Sequence, residues 1–135
     1  MSVADLFSVA GKVALVTGGS RGIGVMIASG LVEAGARVYV ASRKQADCDR
    51  AAAELAKRGT CIALPGDLAS HAGTRALADA FAAREPALHV LVNNAGANWG
   101  APIADYPEAG WDKVMALNVK AVFDLTRMLL PQLEA

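Results

Sequence analysis

Apolar runs of four or five residues recur along this chain, and stretches with apolar positions three or four apart separate them. Val13 to Thr17 reads as the first strand. Gly22 to Ala34 predicts a helix with Ile23, Ile27 and Leu31 on one face, and Gly35 stands where a C-cap is needed. Arg37 to Ala41 is the second strand. A helix over Asp47 to Lys57 ends at Gly59, and Cys61 to Leu64 forms a third strand. Ser70 to Arg84 predicts a helix with Leu77 and Phe81 facing inward, stopped by Pro86. His89 to Val92 is the fourth strand. A loop rich in Gly and Pro then leads to a long helix from Pro107 to Leu130, whose first turn suits a proline.

Strands that are apolar on both faces and separated by helices imply a parallel sheet covered on both sides. Right-handed crossovers then leave a doubly wound α/β fold with strand order 3-2-1-4. At 135 residues and 54% hydrophobic content the chain fits one domain with a real core. Thirteen basic residues balance thirteen acidic ones, so no global field draws the protein to nucleic acid or an anionic membrane. The start, Met1 to Phe7, has no basic segment, and no apolar stretch reaches the roughly 18 residues of a membrane span. The cytoplasm is the expected compartment. Cys48 and Cys61 match no metal-ligand spacing; Cys61, in an apolar run, reads as a buried reduced thiol.

The chemistry is concentrated at two bends. Thr17-Gly18-Gly19-Ser20-Arg21-Gly22-Ile23-Gly24 places glycines where the first strand becomes a helix. There a backbone can wrap the pyrophosphate of a dinucleotide, with the helix N-terminus aimed at the anion. Asn93-Asn94-Ala95-Gly96 follows the fourth strand. In the 3-2-1-4 order the chain winds in opposite directions from strands 1 and 4, which leaves a crevice at their carboxyl ends between these two bends.

Four elements together resemble the short-chain dehydrogenases/reductases. Thr17 to Gly24 is similar to the family's TGxxxGxG motif, Asp67-Leu68 to its adenine-contacting pair, and Asn93 to Gly96 to its NNAG motif. Asn118, within Leu117-Asn118-Val119, stands where the family keeps a catalytic asparagine. Asn98-Trp99-Gly100 and Gly110-Trp111 resemble the bacterial 3-oxoacyl reductases of the rhamnolipid-pathway type. The resemblance implies an NAD(P)-binding Rossmann fold and a reductase that delivers hydride to a 3-oxoacyl or similar carbonyl substrate. It implies cofactor contacts from Gly18, Ser20, Arg21, Gly22, Ile23, Gly24, Ser42, Arg43, Asp67, Leu68, Asn94, Ala95 and Gly96. It further implies a homo-oligomer, with the helix from Pro107 to Leu130 as one contact surface.

Charge selects between the two nicotinamide cofactors. NAD sites place an acid after the second strand for the ribose 2'-hydroxyl, and NADP sites need cations for the 2'-phosphate. Here Ser42 occupies that position, with Arg43 and Lys44 after it and Arg21 in the glycine loop. The three cations could be solvated loop charges; that reading is kept for Lys44. Arg21 and Arg43 are assigned to the phosphate, and NADP(H) is the expected cofactor.

Several single residues carry two readings. Asp67 could cap the third helix or contact adenine, and Asn94 could tie down its loop, contact the cofactor, or do both. Asn118 lies mid-helix, where asparagine is disfavoured, and reads as a local distortion that holds a water or as a solvent-facing residue. Trp99 and Trp111 read as packing residues, Trp99 near the mouth of the site. His71 and His89 read as surface or helix-end residues without catalytic partners.

In the family a serine and a Tyr-x-x-x-Lys set handle the substrate carbonyl and its proton. Tyr106 is followed four residues on by Gly110, and Tyr39 by Arg43, on a strand pointing into the sheet. Ending before a fifth strand, the chain is expected to be the cofactor-binding N-terminal half of a reductase, inactive alone. Non-catalytic NADP(H) binding and a truncated fragment are the alternatives.

Overall fold

A computed structural model describes residues 1–135. The chain begins with one helical turn, α1 (Val3–Leu6), which the apolar pattern does not announce. A reciprocal cap closes it: the Ser2 hydroxyl accepts from the Asp5 amide, and the Asp5 carboxylate accepts from the Ser2 amide.

Strand β1 (Val13–Thr17), helix α2 (Gly22–Glu33), strand β2 (Arg37–Ala41), helix α3 (Gln45–Leu55) and strand β3 (Thr60–Ala63) follow in order. Helix α4 (His71–Ala82), strand β4 (Val90–Val92) and helix α5 (Glu108–Met115) come next. All strand pairs are parallel and the order is β3-β2-β1-β4, the doubly wound arrangement implied by the pattern. Helix α3 starts two residues before Asp47 and stops at Leu55. Strand β3 is one residue earlier than its apolar run, because register with β2 pairs Thr60 with Arg37; Leu64, past its end, still donates to Val40.

Side-chain alternation along β1 divides the core between two faces. Leu15 and Tyr39 pack under α4 and the later helices, with Leu77, Phe81, Leu125 and Leu129, and Tyr39 meets Phe81 edge to face at 5.2 Å. Ala14, Val16, Val38 and Val40 pack under α2 and α3, where the partners are smaller. On α2 the buried line is Gly24, Ala28 and Val32, one position on from the expected stripe; Ile27 and Leu31 flank it and Ile23 is 66% exposed. Small residues let α2 lie close to the sheet, and its largest side chains are displaced to the margin.

The long helix differs from a plain one. Pro107 is its N-cap, and after α5 the residues Ala116–Lys120 form a π turn before α6 (Ala121–Met128) resumes the α pitch. A last short turn, α7 (Leu130–Leu133), follows, and the Gln132 carbonyl accepts from the Leu88 amide just before β4. No helix is long and apolar enough to cross a membrane.

Candidate functional site

A cleft of roughly 590 Å³ opens at the carboxyl ends of β1, β2 and β4, between the glycine loop and the loop that leaves β4. That volume lies within the range that encloses a small organic ligand. Gly18, Ser20, Arg21, Gly22, Ser42, Arg43, Leu68, Asn94, Ala95 and Gly96 line it. The loops, far apart in sequence, meet here because β1 and β4 are neighbours.

The glycine loop is built on backbone requirements. Gly18 has φ +63° and Gly22 φ +57°, a region that L side chains rarely enter. A Cβ on Gly18 would lie 2.9 Å from Asn94 Nδ2 and 3.1 Å from Ala95 Cα. A Cβ on Gly24 would overlap the Gly18 carbonyl oxygen and come within 2.6 Å of Asn94 Nδ2. Gly24 is therefore buried beneath the loop, where it permits the close approach. Arg21 is the N-cap of α2 and makes no side-chain cap bond, so the first-turn amides have no acceptor from the protein's side chains. With the helix dipole behind them these free amides favour an anion at this end of the cleft.

The opposite loop is built on side chains. Thr17, 1% exposed at the end of β1, donates its hydroxyl to the Val92 carbonyl (3.2 Å) and accepts from the amides of Asn94 and Ala95, each at 3.0 Å. Asn94 Nδ2 donates to the carbonyls of Thr17 (3.1 Å) and Gly18 (3.2 Å). Asn94 thus ties down both loops while its residue lines the cleft. Asn118 sits inside the π turn and grips the same loop one step further: its Oδ1 accepts from the Ala97 amide (2.7 Å) and its Nδ2 donates to the Ala97 carbonyl (2.8 Å). It is the mid-helix distortion the sequence suggests, but both ends of its amide are engaged with Ala97. Asn118 does not itself line the cleft; its neighbours Ala116 and Leu117 do.

Electrostatically the cleft is positive at its outer end. Arg21 and Arg43 are exposed, take part in no ion pair, and line the same cavity as Ser42. Ser42 donates its hydroxyl to the Lys44 carbonyl at 3.4 Å, and its own carbonyl accepts from Gly66. An acid at position 42 would repel a phosphate here; a serine does not. A second groove, between α2 and α3, is rimmed by Arg50, Lys57 and Arg58. Each of these is already paired, with Asp47, Glu54 and Glu33 respectively, so no free cation converges there.

Other candidates fall outside the cavity lining. Asp67 Oδ1 accepts from the Ala69 amide (2.9 Å), a turn that presents Leu68 and Ala69 to the cleft, and Ser70, not Asp67, caps α4. Ile23 and Gly24 lie in the first turn of α2, behind the lining residues. Trp99 packs on Gly110, where a Cβ would come within 2.7 Å of its ring, and Lys113 Nζ stands 5.7 Å from its ring centre. Lys113 itself lines the cleft and was not singled out by the sequence; its signal would have been a lone cation one helical turn before Leu117. Both histidines have partners that sequence reading does not reveal. His71 Nδ1 lies 3.0 Å from Asp124 Oδ2, and His89 Nδ1 accepts from the Val13 amide at 3.0 Å. Cys61 is only half-buried; desolvation first, and then neighbouring Cys48, push its thiol up to about 11. Tyr39 is fully buried with its hydroxyl on Glu85, so its spacing from Arg43 is coincidental.

A parallel sheet of this order, a glycine cradle at α2 and an asparagine-held loop across from it define a dinucleotide-binding α/β protein. The chain belongs to the short-chain dehydrogenase family, whose description matches residues 12–135. It is 54% identical over 127 residues to the rhamnolipids biosynthesis 3-oxoacyl-[acyl-carrier-protein] reductase of Pseudomonas aeruginosa, covering 94% of this chain and 50% of that protein. Its structure is similar to the Pseudomonas aeruginosa RhlG/NADP active-site complex, with a TM-score of 0.90 at 54% identity over 93% of this chain and 49% of the other. It is also similar to a 3-oxoacyl (acyl-carrier-protein) reductase of Agrobacterium tumefaciens with NADP bound, with a TM-score of 0.89 at 32% identity over 98% of this chain and 51% of the other. The chain spans about half the length of these relatives.

Proposed function

We propose that the chain forms the NADP(H)-binding half of a short-chain reductase acting on a 3-oxoacyl or similar carbonyl substrate. The carrying observation is the pairing of the glycine cradle with two unpaired arginines around Ser42 in one cleft. The relatives bearing 3-oxoacyl reductase names and solved with NADP support the same reading.

On this reading each residue has a separate task. Gly18, Ser20, Gly22 and Ile23 bring backbone amides to the pyrophosphate, Gly24 gives the room beneath the loop that lets them approach it, Arg21 and Arg43 take the 2'-phosphate beside Ser42, and Asp67-Leu68 with Ala95 and Gly96 bound the adenosine. Asn94 holds the two loops at the spacing the cofactor needs. Bound NADPH supplies the hydride. Asn118 serves catalysis by holding the loop after β4 in place through its two hydrogen bonds to Ala97, from a π turn, a local widening often found at functional sites. Neither tyrosine of the chain precedes a lysine by four residues, so the 135 residues bind cofactor and do not turn over substrate alone. The intact protein works as a homo-oligomer in the cytoplasm.

The test is the cofactor selectivity of the intact protein. Replacing Arg43 with Asp removes a charge-assisted contact and adds repulsion, so KM for NADPH rises roughly tenfold to a hundredfold while KM for NADH changes little. Equal changes for both cofactors in reduction of a 3-oxoacyl thioester would remove Arg43 from the phosphate site.

A further inference from the structure

Asp124 is a buried carboxylate that the cofactor site does not use directly. On α6, one turn past the π turn, it is 3% exposed. Burying a carboxylate is unfavourable unless cations and hydrogen-bond donors compensate it. Both compensating groups meet on one oxygen: Oδ2 accepts from Lys120 Nζ at 2.5 Å and lies 3.0 Å from His71 Nδ1. An ionised carboxylate can only accept, so Nδ1 carries the proton in that contact. The hydrogen bonds from Lys120 and then from His71 hold the Asp124 carboxyl below its ordinary range.

The two partners lie outside the cleft lining, each a few residues past a different wall of it. Lys120 is the last residue of the π turn, whose Asn118 holds Ala97 and whose Ala116 and Leu117 line the cavity. His71 is the first residue of α4, separated by the N-cap Ser70 from Leu68 and Ala69, which line the cavity from the other side. The α4 and α6 helices pack against each other, and this carboxylate joins their cleft-facing ends.

We propose that Asp124 is a positioning residue that sets the separation of the Leu68–Ala69 and Ala116–Leu117 walls, and so the fit of the adenosine end of NADP(H). The proposal rests on the cofactor reading above. The side chain touches neither cofactor nor substrate; it acts through Lys120 and His71. Because the adenosine end is bound alike before and during the reaction, the effect falls on affinity and leaves the chemical step unchanged.

The probe is adenosine 2',5'-bisphosphate, titrated calorimetrically into the intact protein, with NADPH kinetics in parallel. Asp124→Asn keeps the shape and removes the charge. Kd for the bisphosphate and KM for NADPH rise together by about tenfold, while kcat at saturating NADPH stays within about twofold. A lowered melting temperature with unchanged Kd would make Asp124 a stabilising residue only and overturn the proposal. Should Asp124→Asn not fold, the double variant His71→Gln/Lys120→Met, at two half-exposed or exposed positions, carries the same expectation and the same refutation. Wild-type protein that fails to bind the bisphosphate overturns the cofactor reading itself, whereas wild-type binding matched by the variant overturns only the role of Asp124.

Discussion

The two loops that face each other across the cleft are made rigid by opposite means. The glycine loop holds its shape through what it lacks: Gly18 and Gly22 adopt left-handed backbone, and Gly24 leaves room for the Gly18 carbonyl. The loop after β4 holds its shape through what it adds, since Thr17, Asn94 and Asn118 together supply seven side-chain hydrogen bonds to backbone groups. A bare backbone can approach a phosphate closely, but it needs a scaffold. Asn94 shows that the scaffold of one loop is the side chain of the other.

This contrast can be broken most severely at Gly24. A methyl group there displaces both the Gly18 carbonyl and the Asn94 amide, so Gly24→Ala weakens NADPH binding to the intact protein by about a hundredfold, roughly 2.8 kcal/mol. Calorimetric titration checks this, and an unchanged Kd would show that the loop tolerates the displacement. At Thr17 the damage falls on the other loop. Thr17→Val preserves volume but leaves two part-buried amides without acceptors, lowering stability by about 1–3 kcal/mol in denaturant unfolding. A loss below about 0.5 kcal/mol would mean that water replaces the hydroxyl.

The smallest effect lies at the far end of the sheet, where neither loop is involved. Glu85 accepts from Tyr39 (2.6 Å) and Arg37 (2.5 Å). Burial pushes its carboxyl up, but those two hydrogen bonds outweigh it and hold the group below its ordinary range. Its folded-state value is therefore below the unfolded one. The stabilisation it brings is present above the unfolded value near 4.5 and fades as pH falls through the lowered folded value. Glu85→Gln flattens the acid limb of stability against pH, and cofactor affinity at neutral pH does not change. An identical acid limb in the variant would remove Glu85 from that linkage.

The same contrast explains what the sequence reveals. Glycine requirements are local, so Thr17 to Gly24 announces its loop, and the alternation of apolar runs with helical spacing is enough for the order β3-β2-β1-β4. The side-chain scaffold is not local. Thr17 reaches residues 75 to 78 positions away, and His71 meets Asp124 across 53. Only topology brings those groups together. The shift of the buried line on α2 from Ile23 to Gly24 has a similar origin: hydrophobic spacing marks the large residues, and close packing selects the small ones. The π turn is legible only as an asparagine in the wrong place, because the partner of that asparagine, Ala97, lies 21 residues away.

On the proposed function the cleft between these loops takes NADP(H), with the 2'-phosphate held by Arg21 and Arg43. A crystal structure of the intact protein with NADP tests it most directly. The pyrophosphate is expected over the first turn of α2, and the 2'-phosphate within about 3.2 Å of guanidinium nitrogens from both arginines. A dinucleotide bound elsewhere, or a 2'-phosphate in solvent with neither arginine in contact, would contradict the account.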